Sequence, residues 1–248
     1  MHRVIPQLIL IAALTIGSRP ATAQEGSAID PRADQILREA SAYLAELDQF
    51  TFHAEVVEDD TVNTGELVQF GRSVDVAVRR PNRMWADVKG ERGHKRFWYD
   101  GNSVTLYDYV YGTYAQTDVP NTIDGALDDL ADRYGVVLPL SDFGYSDLYA
   151  KLIDQIDSGI YVGMREVNGV SYHHLAFSQA TIDWEIWIED GARAVPAKLL
   201  IVYKNQDGSP HFAALLSKWE LASLPDELFT FEVPAGAQKI EFVLTASN

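Results

Sequence analysis

The residues best equipped for chemistry are six histidines, two acidic pairs and an arginine that ends an apolar strand pattern. His173 and His174 are adjacent in a β-pattern, so they point to opposite faces and cannot share one metal ion. His53, His94 and His211 fall on separate strands or turns without ligand spacing. His-Glu-x-x-His, Gly-x-Ser-x-Gly and Gly-x-x-x-x-Gly-Lys do not occur, and Gly144-Tyr145-Ser146-Asp147 lacks the closing glycine of a nucleophile elbow. Paired carboxylates can do acid–base work. Here Asp59-Asp60 reads as part of a hairpin turn and Asp128-Asp129 as a charged helix face, so both read as solvated acids. The chain has no cysteine, which excludes thiol catalysis, thiolate zinc, disulfides and a lipid anchor on cysteine. No catalytic residue, metal ligand or cofactor is assigned, and the chain reads as a non-enzyme.

Arg80 is harder to set aside. Val74, Val76 and Val78 alternate onto one apolar face, and Arg80 continues their register. A charge there is costly unless it is paired or at a rim. It either snorkels to solvent at the strand end, or reaches helix carbonyls or an acid such as Asp124 or Asp128. The second choice would latch helices over the sheet.

The elements that position these groups follow from periodicity. Asp30-Pro31 reads as an N-cap with proline at the first helical position, and Ile36, Leu37, Ala40, Tyr43, Leu44 and Leu47 recur at helical spacing. This predicts a helix over 31–47. From Phe50 the period falls to two, through Val56, Val68 to Val78, Met84 to Val88, Lys95 to Tyr99, Ser103 to Asp108 and Thr113 to Asp118. Gly71 suggests a bulge or bend. Asp100-Gly101 and Asn168-Gly169 are hairpin turns. Residues 120–157 break the pattern: a helix opens at Thr122-Ile123-Asp124, and a second helical stretch spans roughly Tyr145 to Ile156. Strands resume at Ile160–Val167, Val170–Ser178, Ile182–Ile188, Ala197–Tyr203 and Phe212–Leu216. Short connections imply antiparallel neighbours. The expected fold is α+β: a half-open antiparallel β-barrel of about eleven strands with helices covering the concave face. The five tryptophans all fall in strand patterns and support a large apolar interior.

Composition narrows the class. At 47% hydrophobic and 11% aromatic residues the chain can build a sizeable core. A net charge of −16 argues against nucleic acid as a partner. Residues 1–23 read as a secretory signal: His2-Arg3, the apolar run Leu8–Ile16, and Ala21-Thr22-Ala23 as a cleavage site. The expectation is a single domain over 24–248 in the periplasm, not a lipoprotein, without a membrane span, and a monomer.

Four stretches in order carry a resemblance: Phe50-Thr51-Phe52-His53-Ala54 after the first helix, Arg80-Pro81-Asn82 with Trp85 beyond, Tyr99-Asp100-Gly101 before Val104-Thr105-Leu106-Tyr107, and Leu228-Phe229-Thr230-Phe231-Glu232-Val233-Pro234-Ala235-Gly236. They resemble the LolA/LolB lipoprotein-carrier superfamily, which includes RseB-like sensors, over roughly residues 31–119 and 159–240. The helical insert, with Tyr134-Gly135-Val136 and Leu138-Pro139-Leu140, looks more like an uncharacterised predicted-periplasmic branch. The resemblance implies a half-open barrel, a lid of helices and an interior that holds acyl chains, with the arginine at the Arg80 position bonded to the lid. The lid here is rewritten and more acidic, so the family supplies no partner for Arg80.

Together these readings point to a carrier for a lipid, acyl chain or other hydrophobic ligand. Alternation nominates Val74, Val76, Val78, Arg80, Trp184, Ile186, Leu199 and Ile201 as its lining. The rival is a regulatory or assembly protein whose cavity is filled and whose partner is another periplasmic protein.

Overall fold

Asp30 begins the first helix, α1 (Pro31–Glu46), by accepting the backbone N–H groups of Arg32 at 2.7 Å and Ala33 at 3.4 Å. This satisfies donors that every helix start leaves open. The computed structural model describes residues 28–242 except 137 and 139, so the signal segment expected over 1–23 lies outside the described residues. The apolar stripe of α1, with Ala33, Ile36, Leu37, Ala40 and Leu44, is buried. The helix starts against the sheet edge, where the Asp30 N–H donates to the Gly159 carbonyl at 2.8 Å.

Eleven long strands follow the alternation of the sequence. They are β1 (Gln49–Thr61), β2 (Leu67–Arg79), β3 (Arg83–Gly90), β4 (Gly93–Tyr99), β5 (Ser103–Asp108), β6 (Thr113–Asp118), β7 (Ile156–Val167), β8 (Val170–Gln179), β9 (Ile182–Glu189), β10 (Pro196–Tyr203) and β11 (His211–Glu220). A twelfth, β12 (Gln238–Ile240), adds a parallel edge to β6 that periodicity had not shown. The sheet order is β12-β6-β5-β4-β3-β2-β1-β11-β10-β9-β8-β7, so β1 pairs with β11 and the sheet stays open between β12 and β7. Strand β2 passes Gly71 with no register shift against β1, and the Gly71 N–H donates to Glu91 at 2.7 Å. The Asn168-Gly169 turn has φ of 52° and 78°, as a two-residue hairpin turn requires.

Cross-strand register builds the concave face in rows. Phe52, Val76, Ala86, Phe97 and Leu106 are successive partners, and so are Ala54, Val74, Val88 and Lys95 one row away. The next row carries Val56 opposite Arg72. The face is therefore apolar in the middle and charged at one end.

Between β6 and β7 the chain forms α2 (Ile123–Tyr134), a 3-10 turn (Ser141–Gly144) and α3 (Leu148–Ile153). Thr122 caps α2, accepting the Gly125 N–H at 3.1 Å, and Gly135 closes it at φ 63°. The second helical stretch is shorter than expected over Tyr145–Ile156. Asp147 caps α3, accepting the Ala150 N–H at 2.9 Å, and Ile156 already belongs to β7.

The tryptophans divide between the faces. Trp184 and Trp219 join the interior cluster, whereas Trp98 packs on the other side of the sheet, 5.0 Å from Phe231 between ring centres. Trp219 turns inward because β11 carries an extra residue opposite β1, with Lys218 at φ 53°. It then stacks on Phe52 at 4.7 Å and donates to the Pro196 carbonyl at 2.9 Å.

Candidate functional site

Two features carry the site: a latch at Arg80 and a hollow beneath the lid. The Arg80 guanidinium donates to the carbonyls of Gly144 at 2.6 Å, Tyr145 at 3.1 Å and Leu44 at 3.4 Å. It therefore ties the end of β2 to the lid and to the last turn of α1. Burial lowers its pKa, opposed by the Asp124 carboxylate. Of the two readings of Arg80, the one that reaches helix carbonyls is the one observed.

The lid is closed by a second set of bonds. Asp124, in the first turn of α2, accepts the Ser146 N–H at 3.0 Å and its hydroxyl at 2.5 Å. Asp128 accepts the Tyr145 hydroxyl at 2.8 Å and the Lys151 ammonium at 2.7 Å. Burial and this hydrogen bond push the Tyr145 phenol up to about 12; the Asp128 hydrogen bond raises Lys151 to about 12 as well. The acidic pairs thus hold partners while Asp128 and Asp60 stay about half exposed, and Asp129 and Asp59 are more covered. Asp129 pairs with Arg133 at 2.8 Å. Asp59 and Asp60 stand at the end of β1, not in a turn; Asp59 takes the His211 N–H at 3.0 Å and Asp60 pairs with Arg92.

A cavity of about 290 Å³ lies between the sheet, chiefly β2–β5, and the lid. Val56, Val74, Val76, Met84, Ala86, Val88, Phe97, Leu106 and Phe212 line it from the sheet; Val136, Leu138, Leu140 and Ser141 line it from the lid. Arg72, Lys95 and Arg96 complete the wall. Gly144 lets the lid sit close, since a Cβ there would meet Ile123 at 3.3 Å and Met84 at 3.7 Å.

Of the nominated lining residues, Val74 and Val76 are in this wall. Val78 is fully buried opposite the wall residue Met84 and does not itself line the hollow. Trp184 and Ile186 are buried in the interior cluster, and Leu199 and Ile201 pack against that cluster half-buried; none of the four lines the hollow. Sequence reasoning missed Arg72 and Lys95. A signal for the first was present: Arg72 and Arg80 bracket Val74, Val76 and Val78 at period two, so charge stands at both ends of one apolar run.

A family described as predicted periplasmic protein (DUF2092) matches residues 33–243, and the chain belongs to it. This is the predicted-periplasmic branch that the helical insert suggests. No curated protein matches. Among solved structures, the chain is similar to an uncharacterised conserved protein from Thermus thermophilus, at 13% identity and a TM-score of 0.49, covering 85% of this chain and 99% of that one. It is similar to lipoprotein LppX from Mycobacterium tuberculosis at 14% identity and a TM-score of 0.47, covering 77% and 96%. A LolA superfamily protein from Nitrosomonas europaea aligns at 9% identity and a TM-score of 0.36, covering 80% and 97%. Among the described residues no helix is long and apolar enough to cross a membrane.

Proposed function

We propose that the protein is a periplasmic binding protein that holds one apolar chain, a lipid tail or similar ligand, between β2–β5 and the lid, and that it acts by binding rather than catalysis. The observation that carries this reading is the apolar hollow of about 290 Å³. Buried apolar space of roughly 150 Å³ already accepts benzene in an engineered protein cavity, and ligand sites begin near roughly 300 Å³. The hollow therefore suits a single chain better than a lipid with several. Each methylene moved from water into it contributes about 0.8 kcal/mol, less the cost of association.

Arg80 supports the same reading. Because it bonds to backbone carbonyls at the junction of the 3-10 turn and α3, it holds the lid without occupying the hollow. Native mass spectrometry of the purified protein, with organic extraction of its contents, tests the proposal. A co-purified lipid, or uptake of a fluorescent fatty acid, is the expected result. An empty protein that takes up none contradicts it.

A second reading, a protein-binding module, draws on the turn after β5, where Val110 is 62% and Tyr111 78% exposed. If that turn is the working surface, Tyr111→Ser abolishes partner capture and leaves fatty-acid uptake as it was.

A further inference from the structure

We infer that the preferred ligand carries an anionic head, so that the protein selects a single-chain anionic amphiphile. The inference rests on the apolar-chain reading above and adds a head-group site to it. Beyond the apolar hollow lies a polar vestibule of about 340 Å³, and the two share Arg72, Val88 and Lys95 in their walls. Arg92 and Glu58 also face the vestibule, giving three cations to one carboxylate. Counting wall residues alone, that balance runs against a chain with 36 acidic and 20 basic side chains.

The carboxylates that partner these cations do not close the site. Glu58 pairs with Arg72, and Asp60, which is outside the vestibule lining, pairs with Arg92. A guanidinium has five donors, so one carboxylate partner leaves others for a ligand. Lys95 stands 3.9 Å from Asp108, beyond hydrogen-bond reach. Lys95 is the cross-strand partner of Val88, at the end of the apolar wall. A tail running along the strands, from Val76 and Ala86 past Val74 and Val88, would bring a carboxylate or phosphate head between Lys95 and Arg72. Charge-assisted hydrogen bonds there favour an anion over a neutral head of the same chain length.

The test compares dodecanoate, dodecyl phosphate, dodecanol and dodecyltrimethylammonium, all below their micelle concentrations, by displacement of a fluorescent fatty-acid probe. Both anions are expected to bind about 10-fold tighter than dodecanol, and the cation more weakly than dodecanol. The anion preference should shrink as salt rises, since screening acts on this interaction and not on the tail. Lys95→Gln should bring the ratio of dodecanoate to dodecanol affinity close to one. Arg92→Gln is the second variant, because Arg72→Gln strips Glu58 of its partner and risks the fold. Equal affinity for dodecanoate and dodecanol overturns the head-group site and leaves the apolar hollow standing. Failure of all four to displace the probe from a protein that binds it moves the probe elsewhere and overturns the head-group site. A protein that binds neither the probe nor the four amphiphiles overturns the apolar-chain reading itself.

Discussion

The concave face has two halves that share one alternating pattern and differ in what covers them. Across β8, β9 and β11, Leu175, Phe177, Trp184, Ile186, Ile188, Ala214 and Leu216 are buried in one cluster with the apolar stripe of α1. Phe177 and Trp184 stack at 4.3 Å, and these large side chains fill the space under a 16-residue helix. Across β2–β5 the inward residues are Val74, Val76, Ala86 and Phe97, and the cover is a lid built of shorter pieces. Valines and an alanine between the larger Met84, Phe97 and Leu106, under a segmented cover, leave the hollow. Alternation decides which face is apolar; side-chain volume and the reach of the covering element decide whether that face is core or site.

The largest effect should come from truncating the filled half. Trp184→Ala is expected to cost about 3–5 kcal/mol in urea unfolding, while the folded fraction still takes up an apolar probe. Loss of uptake by that folded fraction would mean the two halves form one site. Arg80→Leu comes next. It leaves the Gly144 and Tyr145 carbonyls without their donor, at about 1–3 kcal/mol, and should speed ligand release by about tenfold in stopped-flow displacement. A change in melting temperature with no change in release rate would make Arg80 a structural residue only.

Third is acid. Asp87 stands on the outer face behind the hollow half, where His94 approaches at 2.6 Å, Lys89 at 2.8 Å and Arg96 at 3.2 Å. Burial pushes its carboxyl up, and hydrogen bonds from Arg96, Lys89 and His94 outweigh this, bringing the pKa from 3.8 to about 2. A folded pKa below the unfolded one gives stability that is complete above 3.8 and is lost as pH falls through about 2. The loss should be about 2 kcal/mol and should be absent in Asp87→Asn, which is less stable at neutral pH. Unfolding curves at stepped pH would show both.

A pair of smaller changes sharpens the contrast between the halves. Ala214→Leu adds bulk where no room exists and should cost about 1–3 kcal/mol. Ala86→Leu adds the same bulk into the hollow; its stability should stay within about 1 kcal/mol of the parent while probe uptake falls. The opposite ranking would place the empty space in the wrong half. The smallest effect concerns Asp142 in the 3-10 turn. Burial raises its pKa, opposed by Lys151, so its stabilising protonated form is lost as pH rises through the folded value. Asp142→Asn should therefore flatten the loss of stability on the alkaline side of that titration.

Much of this was legible in the sequence, for physical reasons that also mark where it stopped. Asp30-Pro31 announced α1 because capping and a fixed proline φ are local. The strands were legible because one face is wet and the other dry. Arg80 was legible because a charge in register with three valines needs an explanation. Trp219 was not, since an extra residue at Lys218 reverses its face and no periodicity encodes that. Three-residue β12 is too short to carry a pattern. Trp184, Ile186, Leu199 and Ile201 obeyed the same alternation as Val74 and Val76, so nothing local distinguished core from lining.

The most direct measurement is a methyl NMR titration of the protein with dodecanoate. The methyl groups of Val74, Val76, Val88 and Leu106 are expected to shift together with one affinity, while those of Leu175, Ile186 and Ile188 stay in place. Shifts concentrated in the second group, or spread equally over both, would contradict the account.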